Sequence, residues 1–151
     1  METTIGQNEN YHNRSIDEIL RGEMSASDSY EQVASNLSSD VEKSRLNEFK
    51  QEHLAAIDFW KTQATVDGAV PETDSGVWGK AVEAFVGTSK LLGNTNALRA
   101  LREGEEHGLK NYQELLERDD LTTVQKNQIK RQFIPTQEKH INSLNAMIKM
   151  H

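Results

Sequence analysis

The chain has 151 residues, of which 35% are hydrophobic and 27% charged, and its formal net charge is −7. This length is typical of one domain with its own core, and the acidic balance argues against nucleic acid or an anionic membrane as a partner. The absence of cysteine excludes disulfides, thiolate zinc sites and cysteine nucleophiles. No apolar run is long enough to span a bilayer and the polar N-terminus does not resemble a signal peptide, so we expect a soluble, cytoplasmic protein.

The first half of the chain predicts a polar tail followed by two long helices. Residues 1–14 are polar and aperiodic, so we expect a disordered tail before a single domain over residues 15–151. The two helices are predicted to end near Leu37 and Thr65. Capping boxes, in which Ser or Thr precedes Glu or Gln by three residues, mark helix starts. The chain has three that begin predicted helices: Ser15 with Glu18, Ser39 with Glu42, and Thr122 with Gln125.

The second half predicts a long connection and two more long helices. Residues 66–75 contain glycine and proline and form the clearest loop, and the apolar residues after it predict a short crossover helix that ends at Gly93. Asn94 is the predicted N-cap of the third long helix, which reaches about Arg118. The fourth runs close to the C-terminus. This order predicts two helical hairpins joined by a crossover, a known topology of four-helix bundles.

Each long helix carries one polar residue at the centre of its apolar stripe. Seven residues make two helical turns, so residues at this spacing share one helix face. A carboxylate or imidazole on such a face must be paired, hydrogen-bonded or bound to metal, because burying it alone is too costly. The four sets are Ile16–Glu23–Tyr30–Leu37, Leu46–His53–Trp60, Leu98–Glu105–Tyr112 and Phe133–His140–Met147.

The two halves of the chain also repeat one another. Each contains a Gly-Glu pair followed seven residues later by Tyr, with a His at a corresponding place in the next helix. The repeat predicts a pseudo-twofold axis through the bundle. The matched positions are Gly22 with Gly104, Glu23 with Glu105, Tyr30 with Tyr112, and His53 with His140.

These residues resemble those of a ferritin-like four-helix bundle, and more narrowly those of a bacterial family of ferritin-like proteins known as a domain of unknown function. The resemblance covers about Ser15 to Met150. It implies an all-α fold of two antiparallel hairpins, with a short crossover helix between the second and third long helices, and no established biochemical role. The motifs that carry it are the two Gly-Glu…Tyr signatures, Pro71-Glu72…Gly76 before Trp78, and Gln137…His140.

The resemblance makes the core glutamates and histidines candidate metal ligands. Ferritin-like di-iron proteins place one Glu on each of two helices and Glu-x-x-His on the other two. Here Lys50 and Gln137 stand where the second pair of glutamates belongs, which argues against a di-iron site. Two nitrogens and two oxygens suit one Fe, Mn or Zn ion. Its candidate ligands are Glu23, His53, Glu105 and His140, with Tyr30, Tyr112, Lys50 and Gln137 as their neighbours.

A metal-free alternative explains the same residues. Two buried Glu–His pairs can satisfy each other, with the two tyrosines donating their hydroxyls, and such a network can fix the register of the helices. Lys50 would favour this alternative if its ammonium turned inward, but it can also lie at the helix boundary in water. Both readings stay open at this point.

A di-metal oxidoreductase is a further alternative, and it requires additional carboxylates near the histidines. Glu52 and Glu138 lie one and two residues from His53 and His140, so on ideal helices their side chains point elsewhere. Pro135 is expected to break one backbone bond of the last helix and so could redirect Glu138, but nothing comparable would redirect Glu52. Glu48 and Glu106 are the other nearby carboxylates.

The sequence therefore favours a non-enzymatic helical bundle whose core site is a candidate for one metal ion. A metal-free scaffold in a stress or storage assembly is the third alternative. Gly104 and Gly108 predict the close approach of a bulky side chain, such as Trp60 or Trp78. We expect self-association, for which the crossover residues Trp78, Phe85 and Val86 are the candidate surface.

Overall fold

Four long helices make up the parts of the chain that the structure, a computed structural model, describes: residues 13–66 and 93–151. The first three are α1 at Arg14–Asn36, α2 at Asp40–Val66 and α3 at Asn94–Leu115. The fourth, α4, consists of three consecutive pieces: α-helical Thr123–Gln128, π-helical Ile129–Phe133 and α-helical Ile134–Lys149. These two ranges contain no strand, so the all-α prediction is confirmed for them.

Helix α1 begins earlier than predicted, because Asn13 caps it. The Asn13 side chain accepts a hydrogen bond from the Ile16 amide at 3.0 Å. The predicted Ser15 cap is therefore wrong. Ser15 is buried, and its hydroxyl donates to Asp120 at 2.7 Å instead. An Asn caps a helix as well as a Ser does, and this choice leaves Ser15 to join α1 to the turn after α3.

Two of the other predicted helix starts are confirmed and one is wrong. Ser39 accepts from the Glu42 amide at 3.2 Å, and Thr122 forms a complete capping box with Gln125. Asn94, however, is the first residue of α3 rather than its cap. The cap position is held by Gly93 at φ 86°, a left-handed conformation that glycine adopts without strain.

The helices pack as two hairpins that lie side by side. α1 packs along α2, α3 packs along α4, and α1 also contacts α3. The buried apolar residues form two clusters, one around Trp60 and the other around Phe49. Every residue of the four heptad sets predicted from the sequence is buried. The described helices thus form a helical bundle with the predicted stripes facing inward.

Helix α4 passes its proline without ending. The π-helical segment lies just before Pro135, and the Ile134 amide bonds to the Ile129 carbonyl five residues back. The wider π turn gives room to the proline ring, which in an α-helix clashes with the carbonyl four residues earlier. The predicted disruption at Pro135 is therefore a local π turn within a longer helix.

Several predictions concern residues outside the described ranges. These are most of the N-terminal tail, the loop after Val66, the crossover helix with Trp78, and the candidate surface for self-association. None of the helices in the described ranges has the length and apolar character needed to cross a membrane.

Candidate metal centre

The four polar residues of the heptad stripes meet between the two apolar clusters. Their relative exposure is 5% for Glu23, 3% for His53, 3% for Glu105 and 0% for His140. One residue comes from each helix, so the bundle itself brings together side chains that are up to 117 positions apart in sequence (140 − 23). The site therefore exists only in the folded bundle.

The Oε2 atom of Glu105 is the centre of the cluster. It accepts hydrogen bonds from the Tyr30 hydroxyl at 2.5 Å, from Nε2 of His53 at 3.0 Å and from Nδ1 of His140 at 2.5 Å. Three donors from three different helices thus converge on one carboxylate oxygen of α3.

The opposite nitrogen of each imidazole also faces a carboxylate. Nδ1 of His53 is hydrogen-bonded to Oε1 of Glu23, and Nε2 of His140 lies 2.8 Å from Oε1 of Glu52. If all four contacts are hydrogen bonds, every ring nitrogen carries a hydrogen, because a carboxylate can only accept. Each histidine is therefore held from both sides.

Glu52 belongs to this cluster, and the expectation that it points away is wrong. Glu52 precedes His53 by one position, so the two side chains are about 100° apart around the axis of α2. Glu52 lies on the side of α2 where α4 packs. Its carboxylate also accepts from Lys139 at 2.6 Å. Glu52 and Lys139 each directly precede a core histidine and have opposite charges, and this pattern was the available signal.

The tyrosines cross between the hairpins. The Tyr112 hydroxyl of the second hairpin donates to Oε2 of Glu23 at 2.6 Å, just as Tyr30 of the first donates to Glu105. Tyr112 also accepts from the indole nitrogen of Trp60 at 3.2 Å. These exchanged contacts are what the sequence repeat predicts for a pseudo-twofold pair.

The charges of the cluster balance if every ring nitrogen of the two histidines carries a hydrogen. Three carboxylates, Glu23, Glu52 and Glu105, then face two imidazolium ions and the Lys139 ammonium, and the formal sum is −3 + 3 = 0. Such a balance reduces the cost of burial, which is high for any unpaired charge.

The neighbouring charges shift the pKa values of the cluster. Burial alone would lower the pKa of His53, but the Glu23 and Glu105 carboxylates raise it to about 10. Burial would raise the pKa of Glu105, whereas the two imidazoles lower it to about 2. Burial, together with Glu105 and Glu23 respectively, raises the pKa of Tyr30 and Tyr112 well above 10, so both phenols stay protonated.

The other predicted neighbours behave differently. Lys50 is partly buried, and its ammonium lies 2.9 Å from the exposed Glu31, so it does not supply charge to the cluster. Gln137 is buried at 5% exposure, and its Oε1 atom has no hydrogen-bond partner among the described residues. Glu48, Glu106 and Glu138 are exposed.

Three of the four candidate ligands could bind one ion in this arrangement. Ligand atoms of His53, Glu105 and His140 all lie within 4.8 Å of one another. Glu23 lies instead on the far nitrogen of His53. Two imidazoles and one carboxylate are a donor set typical of zinc and non-haem iron sites.

Comparison with known families places the chain in one of them. Residues 13–118 match the family described as Domain of unknown function (DUF2383). The chain belongs to this family. The match includes Glu23, His53 and Glu105 and ends before α4, which carries His140. No curated protein and no solved structure matches the chain.

Proposed function

We propose that this protein of the DUF2383 family is a ferritin-like, metal-binding four-helix bundle without a catalytic role of its own, whose core binds one divalent transition-metal ion. The observation that carries the proposal is the convergence of two imidazole nitrogens on one carboxylate oxygen. The ligands would be His53 Nε2, His140 Nδ1 and Glu105.

The carboxylates on the far side of each imidazole support this assignment. Metal-binding histidines usually donate their second ring hydrogen to a carboxylate or carbonyl, which fixes the tautomer and the ring orientation. Glu23 and Glu52 occupy these positions here. The two histidines are therefore already oriented as metal ligands.

The charge balance of the cluster also supports the proposed metal binding. When both imidazoles are doubly protonated, two hydrogens lie between their nitrogens and Glu105. One divalent ion that replaces these two protons leaves the total charge unchanged. The buried site can therefore exchange two protons for one ion without creating an unpaired charge, which would be costly at this depth.

The ferritin-like assignment draws on the arrangement of the helices. Two hairpins with a long connection between α2 and α3, one Glu on each of α1 and α3, and one His on each of α2 and α4 follow the order of the ferritin-like di-metal proteins. The missing Glu-x-x-His glutamates favour one ion over two.

A calorimetric titration of metal-free, full-length protein with Zn²⁺ at pH 7 tests the proposal. We expect one equivalent per chain and the release of about two protons, measured by repeating the titration in buffers of different ionisation enthalpy. His140→Gln should abolish stoichiometric binding, whereas His107→Gln, at an exposed histidine, should leave it unchanged.

The same titration distinguishes metal binding from the metal-free alternative. A folded protein that binds no Zn²⁺, and no Fe²⁺ or Mn²⁺ under anaerobic conditions, would mean that the cluster is a structural network that fixes helix register. Binding that survives His140→Gln would show that the ion lies elsewhere.

A further inference from the structure

A cavity of about 450 Å³ lies between α1 and α3, next to the candidate metal centre. Its size is within the range of roughly 300 to 1,000 Å³ that is typical of small-molecule sites. Neither His53 nor His140 is among the described residues that line it. Glu23 and Glu105 do line it, and Gln137 of α4 is the only lining residue that the described part of α4 contributes.

Two glycines of the sequence repeat keep this cavity open. Gly22 and Gly104 lie inside helices, where glycine costs about 1 kcal/mol relative to alanine. A Cβ atom at either position would meet no described residue within 4 Å. Trp60 is therefore not the expected bulky neighbour of Gly104, Trp78 lies outside the described residues, and both glycines line the cavity.

The third glycine makes room for Gln137. A Cβ atom at Gly108 would lie 2.9 Å from Nε2 of Gln137, so the predicted close neighbour is, among the described residues, this amide and not Trp60. The amide is thus held at the cavity wall, and no described residue donates a hydrogen bond to its buried Oε1. A buried acceptor without a partner is costly, and a ligand with a hydrogen-bond donor would relieve that cost.

The hydrogen-bonding groups of the wall specify the kind of ligand. The three hydrogen bonds that described residues donate to Glu105 all fall on Oε2, so within the described part of the chain Oε1 is available as an acceptor. Oε1 of Gln137 is the second acceptor. Ile19 and Leu101 add apolar surface to the wall. The described residues that line the cavity include one guanidinium, that of Arg21, and three carboxylates, those of Glu18, Glu23 and Glu105. This excess of carboxylates, together with the acceptors and the apolar wall, favours a positively charged donor with a hydrocarbon body.

We propose that this cavity binds a small organic cation of the alkylammonium class. Its N–H groups donate to Gln137 and Glu105, and its hydrocarbon chain lies along the apolar wall. The cation site shares Glu105 with the proposed metal centre but includes neither described histidine ligand, so binding of the cation can be measured on metal-free protein independently of the metal.

Titration of metal-free, full-length protein with n-butylammonium, followed by amide NMR shifts, tests this proposal. We expect saturable binding at one site, with shifts at Gly22, Gly104 and Gly108. n-Butanol, which lacks the charge, should bind at least about tenfold more weakly. Butyrate at the same ionic strength should not bind, because its charge has the wrong sign.

Variants of Gly104 separate ligand binding from folding. Gly104→Met extends a flexible side chain into open space and should weaken n-butylammonium binding at least about tenfold while the protein stays folded. Gly104→Ala is the matched control and should still bind. Gln137→Leu, which removes the unpaired acceptor at similar volume, should also lose binding.

Two outcomes would overturn the proposal. One is wild-type protein that shows no saturable shifts with n-butylammonium. The other is a Gly104→Met variant that binds as tightly as wild type. Neither result bears on the zinc titration, so failure of this proposal is distinguishable from failure of the metal proposal.

Discussion

Glu105 and Glu23 occupy equivalent positions in the repeat but differ in how many donors they receive. Within the described residues, Glu105 accepts from Tyr30 and from both histidines, whereas Glu23 accepts from Tyr112 and His53. Loss of one donor therefore leaves Glu105 with two donors but Glu23 with one. A buried acceptor that keeps more partners loses less free energy when one donor is removed.

This difference predicts unequal roles for the two tyrosines. Tyr30→Phe leaves Glu105 with two imidazole donors and should lower the free energy of unfolding by about 1 kcal/mol. Tyr112→Phe removes a donor from Glu23 and the acceptor of the Trp60 indole, so it should cost about 2 kcal/mol or more. Urea denaturation of the two variants measures both values, and an equal or smaller cost for Tyr112→Phe would contradict the assignment.

At the scale of single residues, the sequence predicted which groups are buried but only part of how they pair. The heptad spacing identified Glu23, His53, Glu105 and His140 because burial depends on the local helix face. The heptad spacing did not identify Glu52, because its partner His140 belongs to another helix. Which nitrogen meets which oxygen depends on how far the helices slide and rotate against each other.

At the scale of elements, the π-helical segment of α4 keeps a stripe of unusual spacing facing the core. The first four buried residues of α4 recur every four positions, at Gln125, Ile129, Phe133 and Gln137. Steps of four turn an α-helix by about 40° beyond a full circle, so the stripe would drift away from the core. The π-helical segment winds more slowly and keeps it facing inward. This spacing, together with Pro135, is a readable signal for the π turn.

The glycines of α3 give a prediction at the same scale. Gly104→Ala should raise the free energy of unfolding by up to about 1 kcal/mol, because alanine favours the helix and nothing obstructs its Cβ. Gly108→Ala should gain less or lose stability, because the Cβ displaces the Gln137 amide. Thermal denaturation compares the two variants. A larger gain for Gly108→Ala would mean that Gln137 is not held as described.

At the scale of the whole molecule, a charged layer lies between two apolar clusters, so the stability of the bundle depends on pH. The pKa of Glu105 falls from 4.5 to about 2 on folding, so its contribution is present above pH 4.5 and is lost as the pH falls toward 2. The pKa of His53 rises from 6.5 to about 10, so its contribution is present below pH 6.5 and is lost as the pH rises toward 10.

Metal-free protein should therefore be most stable between about pH 4.5 and 6.5. Toward alkaline pH, the free energy of unfolding should fall by up to about 1.4 kcal/mol per pH unit from the His53 contribution. Urea denaturation between pH 3 and 10 measures the profile. His53→Gln should flatten its alkaline side, and an alkaline side that stays unchanged in this variant would show that another group is responsible.

The sequence by itself determined the all-α architecture, the four inward stripes and the identity of the central glutamates and histidines. These features depend on periodicities along single helices, which local geometry dictates. Only the tertiary structure decided the crossed tyrosine contacts, the contact of Glu52 with His140, the pairing of Lys50 with Glu31 and the cavity beside Gly22 and Gly104. Those features depend on the relative positions of helices that are distant in sequence, and no local pattern specifies these positions.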